Sequence, residues 1–194
     1  NPSQYKKHIK SDKHQEKPVR IVYHNGNKAM ALTRTLADIC AINSNAKVLV
    51  LGRNRHDIDE FICREIQLFN YKTIKHRDYP KLEISYSTVH GSKGLESDFV
   101  VLISGEDTQN GFPNKTEDDS ILTLLLGKKN NFEYAEERRL FYVALTRTKS
   151  IVYLLSDKSR SSEFIQEIKN KCYIMEDENA TREESEYLCP WCKS

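Results

Sequence analysis

Short runs rich in β-branched and aromatic residues recur along this chain of 194 residues, each followed by a longer stretch of mixed polarity. Val19–Tyr23, Lys47–Leu51, Ile84–Thr88, Phe99–Ile103 and Ile151–Leu155 read as strands, with Cys172–Met175 a weaker sixth. Between them lie segments of helical length at about 27–43, 56–69, 118–127, 134–148 and 161–171. In the first, Met30, Leu32, Leu36, Ile39 and Cys40 recur at spacings of two to four residues, close to one face of a helix packed on a sheet. Strands of high apolar content alternating with helices predict an α/β lobe of three layers whose mostly parallel sheet is covered on both sides. Ligands of such sheets bind outside the carboxyl ends of the strands, so the turns that follow strands are where chemistry is to be sought. Gly105–Asp119, with Gly, Pro, Asn and acidic residues, predicts a surface loop.

Composition narrows the class. Hydrophobic residues at 38% and charged residues at 30% fit a polar globular domain and exclude collagen-like sequence or wholesale disorder. No apolar run reaches the roughly 18 residues of a membrane span and no signal peptide is evident, so the chain reads as a soluble protein of the cytoplasm. A formal net charge of +2 is too small to imply nucleic-acid binding by itself, so any basic surface must be local. The ends differ in sign: residues 1–20 hold six basic and two acidic side chains, residues 175–194 two basic and six acidic. Residues 1–18 therefore read as a basic extension, 19–175 as the lobe, and 176–194 as an acidic tail. Of the five cysteines, Cys40, Cys63 and Cys172 sit in apolar or helical contexts as ordinary buried thiols. Cys189-Pro190-Trp191-Cys192 has the gap with which two thiolates grip one metal ion, which is half a zinc site at most.

Three turns carry unusual residues. In Gly52-Arg53-Asn54-Arg55-His56-Asp57, Asn or Asp can cap the next helix while the arginines are solvated; alternatively Arg53 aims its guanidinium at a phosphate. In Thr88-Val89-His90-Gly91-Ser92-Lys93-Gly94-Leu95-Glu96, two glycines with Ser92 and Lys93 form either an anion-binding loop or a plain glycine-rich turn. This is no P-loop, since the chain's Gly127-Lys128 is followed by lysine and has Leu122 where the first glycine belongs. In the third segment, residues 135–149, positions 136, 140, 143 and 147 share a helical face that begins with a carboxylate, turns apolar and ends on Arg147. Arg147 there either complements the helix dipole or serves as an arginine finger.

Taken together, the last two segments resemble the superfamily 1 DNA helicases of the UvrD/Rep type. Thr88–Glu96 resembles their motif V, and Glu136-Glu137-Arg138-Arg139-Leu140-Phe141-Tyr142-Val143-Ala144-Leu145-Thr146-Arg147 resembles motif VI. Val48–Asn54 sits where motif IV belongs, and Gly111-Phe112-Pro113 is similar to the turn that follows motif V. The resemblance spans about residues 19–156. The wording of motif VI and the short link at about 67–81, too short for an inserted 2B domain, are similar to the helicase IV branch. The tail resembles the first half of a topoisomerase-type zinc ribbon. Walker A and B motifs are missing, so the chain looks like a carboxyl-terminal piece, the second RecA-like lobe.

The resemblance implies a motor in which ATP and magnesium are held mainly by a first RecA-like lobe. Arg147 is implied as the motif VI finger and Arg53 as its motif IV companion at the γ-phosphate, with Glu96 on the ribose beside Gly94. Thr88, His90 and Lys93 are implied as single-stranded DNA contacts. Expected partners are DNA and the first lobe, with no membrane; zinc is expected only with the missing half of the ribbon. The resemblance implies that the parent is an ATP-dependent helicase acting in DNA repair, and that this chain alone is inactive. Two other readings stay open: a related motor acting on RNA polymerase, and a non-catalytic module binding nucleic acid or protein.

Overall fold

The computed structural model describes residues 17–109, 111–115 and 134–175. Eight strands form one sheet: β1 (Val19–His24), β2 (Lys47–Gly52), β3 (Ile66–Phe69), β4 (Thr73–His76), β5 (Glu83–Thr88), β6 (Ser97–Leu102), β7 (Thr148–Asp157) and β8 (Tyr173–Met175). Their order is β3-β4-β5-β2-β6-β7-β1-β8. From β5 to β8 every pairing is parallel, and β3 and β4 join as an antiparallel edge. The α/β class and the mostly parallel sheet are therefore as the alternation of strands and helices predicts.

Burial explains why the central strands tolerate no polar face. Val48–Leu51 and Phe99–Leu102 lose nearly all solvent contact on both sides of the sheet. One apolar layer joins Val48, Val50, Val101, Tyr153 and Leu155 to helix α1 (Lys28–Ile42). The other joins Leu49, Leu51, Val100, Leu102 and Leu154 to α2 (Ala135–Leu145) and α3 (Glu163–Ile168).

Helix α1 begins where Asn27 accepts the Met30 amide at 3.0 Å, satisfying a donor that the first turn leaves unpaired. Its buried face is Ala31, Leu32, Thr35, Leu36 and Ile39; Met30 is 47% exposed and does not belong to it. Helix α3 is capped in the same way by Ser162, which accepts the Phe164 amide at 3.2 Å.

Residues 56–69 depart from the helix expected there. Only Asp57–Phe61 turns, as a short 3-10 helix, and Ile66–Phe69 is strand β3. Burial alternates through Ile66, Gln67, Leu68 and Phe69 with the period of two that strands require, and Asn70-Tyr71 then reverses the chain into β4. The short link between the candidate motifs thus folds into a hairpin that widens the sheet. Helix α2 is shorter than the 134–148 expected, because Thr146 and Arg147 form a turn before β7. The loop after β6 is not a surface loop throughout: Ile103–Glu106 and Gly111–Pro113 are buried, and Phe112 is fully enclosed against Phe141 at 5.8 Å between ring centroids. The segment 118–127, the basic start and the tail with Cys189 and Cys192 fall outside the described residues.

Candidate functional site

The polar features gather at the two opposite edges of the parallel strands. At the carboxyl edge, the turn after β2 is organised by Asp57. Its Oδ2 accepts the amides of Arg53 and Asn54 at 2.8 and 2.9 Å, and the Ser104 hydroxyl at 2.7 Å. With its backbone so fixed, Arg53 directs its guanidinium sideways. Nη2 donates to Glu137 Oε1 at 2.7 Å, Nη1 meets His90 Nδ1 at 3.0 Å, and the group lies 5.9 Å from the Phe112 ring centroid. Nε finds no partner among the described residues. The second Glu137 oxygen accepts the Asn114 amide at 3.1 Å, tying the loop after β6 to the same knot.

Glu137 is the residue of this knot that reading the sequence as a face 136-140-143-147 misses. The inward face of α2 is Glu137, Phe141 and Ala144, at spacings of four and three, whereas Glu136 is turned to solvent with 72% of its side chain exposed. The carboxylate at the head of the buried face is therefore Glu137, and its partner 84 residues earlier in the chain left no local signal.

The loop Val89–Glu96 joins β5 to β6, and these are parallel strands on either side of β2, so it crosses from the carboxyl edge to the amino edge. Val89 anchors it in the apolar layer beneath α2, and Ser92 is fully buried with its hydroxyl donating to Val89 O at 2.7 Å. At the start, Thr88 Oγ1 accepts the Gly91 amide at 3.1 Å and His90 is exposed beside Arg53. At Gly94 the backbone takes φ +82°, a left-handed turn that other residues enter at a steric cost. Lys93 and Glu96 project from the loop into solvent.

Glu96 ends the crossover at the amino edge, directly before β6. Arg147 stands beside it, directly before β7, with its carbonyl accepting the Ser97 amide at 3.0 Å. Its Nε donates to Val143 O at 3.1 Å, so the side chain caps its own helix, and among the described residues it forms no ion pair. A groove of about 790 Å³ opens beside Glu96, bounded by Leu95, Lys47, Glu65, Lys75 and Tyr79.

The structure brings Arg53 to His90 and Arg147 to Glu96 but does not bring the two arginines together. Arg53 is level with Ser104 and Arg147 with Glu96, eight residues apart along the β6 direction, which is about 25 Å at a strand's rise per residue. The two arginines expected to share one γ-phosphate therefore stand at opposite edges of the sheet.

Behind Arg53 a second charged cluster is buried. Glu106, 7% exposed in its side chain, lies 3.0 Å from Lys28, 3.5 Å from His24 and 3.8 Å from Arg160. Burial holds the His24 pKa below its usual value, against the pull of Glu106 and Asp157. Burial alone would lower Lys28 too, but its bonds to Glu60 and Glu106 outweigh this and raise it. Cys172 donates to Ile168 O at 3.2 Å, and burial pushes its thiol up, as for a structural cysteine. Among the described residues no three His, Cys, Asp or Glu side chains converge as a metal site, and no helix is long and apolar enough to cross a membrane.

These observations define a class: an α/β lobe with two polar edges, one headed by Arg53 and His90 and the other by Arg147 and Glu96, connected by a single short crossover. The model of the UvrD-like helicase C-terminal domain matches residues 3–159, and the chain belongs to that family. It is 39% identical to DNA helicase IV of Escherichia coli K12 over 92 residues, 47% of this chain and 14% of that protein. It is 33% identical to a probable DNA helicase II homolog of Mycoplasma capricolum over 127 residues, 56% of this chain and 16% of that protein. The chain thus spans about one sixth or less of the length of these relatives. Among solved structures it is similar to the C-terminal domain of a possible DNA helicase from Lactobacillus plantarum WCFS1. There the TM-score is 0.48 at 14% identity, covering 82% of this chain and 85% of that one.

Proposed function

We propose that this chain is the second motor lobe of an ATP-dependent DNA helicase, with its amino edge turned to the nucleotide and its carboxyl edge to single-stranded DNA. The observation that carries this is the crossover Val89–Glu96. One loop of about eight residues runs from His90 and Thr88 to Gly94 and Glu96, so a displacement at either edge is carried to the other.

At the amino edge Glu96 is the acceptor suited to a ribose hydroxyl. Arg147 is the guanidinium suited to the charge that spreads over a phosphoryl group in transfer, worth roughly 10³–10⁵ in rate where such a finger has been removed. Its present bond to Val143 O is one that rotation of the side chain exchanges for a phosphate oxygen. At the carboxyl edge Thr88, His90 and Lys93 face the DNA backbone. Arg53, held there by Glu137, belongs with them and not with the phosphate site. Magnesium and most of the triphosphate fall to a first lobe carrying Walker motifs, and this chain alone is expected to be inactive. Zinc on Cys189 and Cys192 requires ligands beyond this pair, since the described cysteines are dispersed through the lobe.

The test is made in a protein that carries both lobes. Arg147→Lys should lower DNA-stimulated ATP hydrolysis by about 10³-fold or more with little change in affinity for single-stranded DNA, because lysine lacks the planar paired donors. His90→Ala should weaken single-strand binding while leaving the apparent KM for ATP nearly unchanged, and Glu96→Gln should do the reverse. Loss of DNA affinity in Arg147→Lys equal to that in His90→Ala would overturn the assignment of edges.

A further inference from the structure

We propose that the tip of the β3–β4 hairpin is a base-stacking platform that extends the single-stranded DNA path beyond His90 and Arg53, with Tyr71 as the ring on which a base lies. This rests on the carboxyl edge being the DNA side.

The first argument is backbone geometry. In the three-residue loop 70–72 between the paired Phe69 and Thr73, Lys72 N donates to Phe69 O at 3.0 Å, and the two residues so enclosed, Asn70 and Tyr71, both have φ +50°. Two successive left-handed residues make a type I′ turn, for which Asn-Gly is the favoured pair. Asn70 suits its position. Tyr71 occupies the glycine position, where a bulky side chain is strained, and reversing the chain gives no reason for it.

The second is what the strain presents. Tyr71 is 39% exposed, although it is a large hydrophobic residue. Arg55 places its guanidinium 5.1 Å from the ring centroid, and His56 meets the ring edge-on at 5.5 Å, so two neighbours hold it. An open cleft of about 570 Å³ lies against it, with Ile62 and Leu68 in its wall. Asp59, also in that wall, is engaged by His56 at 3.1 Å. Arg55 and Lys72 leave the tip with a positive balance, and Lys75 stands 5.4 Å over the half-exposed ring of Phe69.

The third is position. Lys72 O accepts the Tyr86 amide at 2.7 Å, and the Tyr86 hydroxyl donates to Asn54 O at 2.5 Å, so the tip is fastened to the turn that carries Arg53. Since β3 and β4 adjoin β5, the carboxyl edge presents Tyr71, then His90, then Arg53 in sequence across the sheet. An exposed aromatic ring set among cations, as Tyr71 is beside Arg55 and Lys72, is the chemistry that binds single-stranded nucleic acid with little sequence preference.

The experiment titrates the chain with a fluorescein-labelled 20-nucleotide oligo(dT) and reads anisotropy. Tyr71→Gly installs the residue the turn prefers, so it should fold at least as stably, which thermal unfolding verifies, yet bind on the order of 5- to 150-fold more weakly. Tyr71→Trp should keep the affinity and show emission quenching by oligo(dT) beyond that of the parent chain's single tryptophan, Trp191. Binding by Tyr71→Gly within twofold of the parent, with no added quenching in Tyr71→Trp, overturns the proposal. If His90→Ala is then weakened, the DNA reading of this edge survives without the platform. A parent chain that binds no oligo(dT) overturns both.

Discussion

Replacing Glu137 by alanine removes the carboxylate that, among the described residues, pairs with a guanidinium only 12% exposed. Glu137 makes two bonds of the charge-assisted kind, to Arg53 at 2.7 Å and to the Asn114 amide at 3.1 Å, and such bonds are worth about 1.5–3 kcal/mol each before the partners relax. Arg53 would keep His90 and the Phe112 ring as neighbours. Part of its charge would recover water through the opened loop, so the full cost of breaking a buried pair is not expected. The net loss should be about 2–4 kcal/mol, which at a urea slope near ~2 kcal/mol/M moves the unfolding midpoint down by roughly 1–2 M. Glu136→Ala is the control. Its carboxylate pairs with Arg139 one turn away at 72% and 69% exposure, and the expected loss is under about 0.5 kcal/mol. The double variant Glu137→Ala with Arg53→Met should recover part of the loss, because it leaves no unpaired charge. Equal urea midpoints for Glu136→Ala and Glu137→Ala would refute the reasoning.

Acid should weaken the fold as the pH falls below about 6.5. His24 and His76 are buried, and burial holds both pKa values below 6.5 despite nearby carboxylates. The unfolded chain therefore takes up protons first, and stability is complete above about pH 6.5 and falls as pH drops below it. Urea midpoints at pH 7.5 and 5.5 that coincide would show that neither imidazole is held neutral. Asp157, held below its usual value mainly by its bonds to Ser159 and Arg160 against the effect of burial, adds a further loss below about pH 4. Gly105→Ala should be among the most damaging small substitutions. A methyl group there would lie 2.3 Å from the Leu155 carbonyl and 2.7 Å from Ile165 Cδ1, and the first of these is backbone that cannot swing away. A loss of about 2–3 kcal/mol is expected in thermal or urea unfolding, and a neutral result would show that the loop after β6 shifts freely.

The sequence by itself determined the central sheet. Runs such as Lys47–Leu51 and Phe99–Ile103 are apolar on both faces, which only a strand covered from both sides can satisfy, and the helices between them force parallel pairing. Helix α1 was legible for the same reason, since its period persists through four turns. Residues 56–69 were misread because Ile58, Phe61 and Ile66 meet a helical spacing as well as they meet a turn followed by a strand. Only pairing with Thr73–His76 and β5 selects the strand. The residues that resemble motifs V and VI could be picked out one by one, because each is a local string. Their grouping could not. Whether Arg53 serves with Arg147 or with His90 depends on which end of a parallel strand each one occupies, and whether Glu136 or Glu137 faces inward depends on a rotation of α2 by one residue. Both are set by long-range packing, on Phe112 and on the neighbouring strands, between residues distant in the chain. That is information a linear string carries only through the fold it makes.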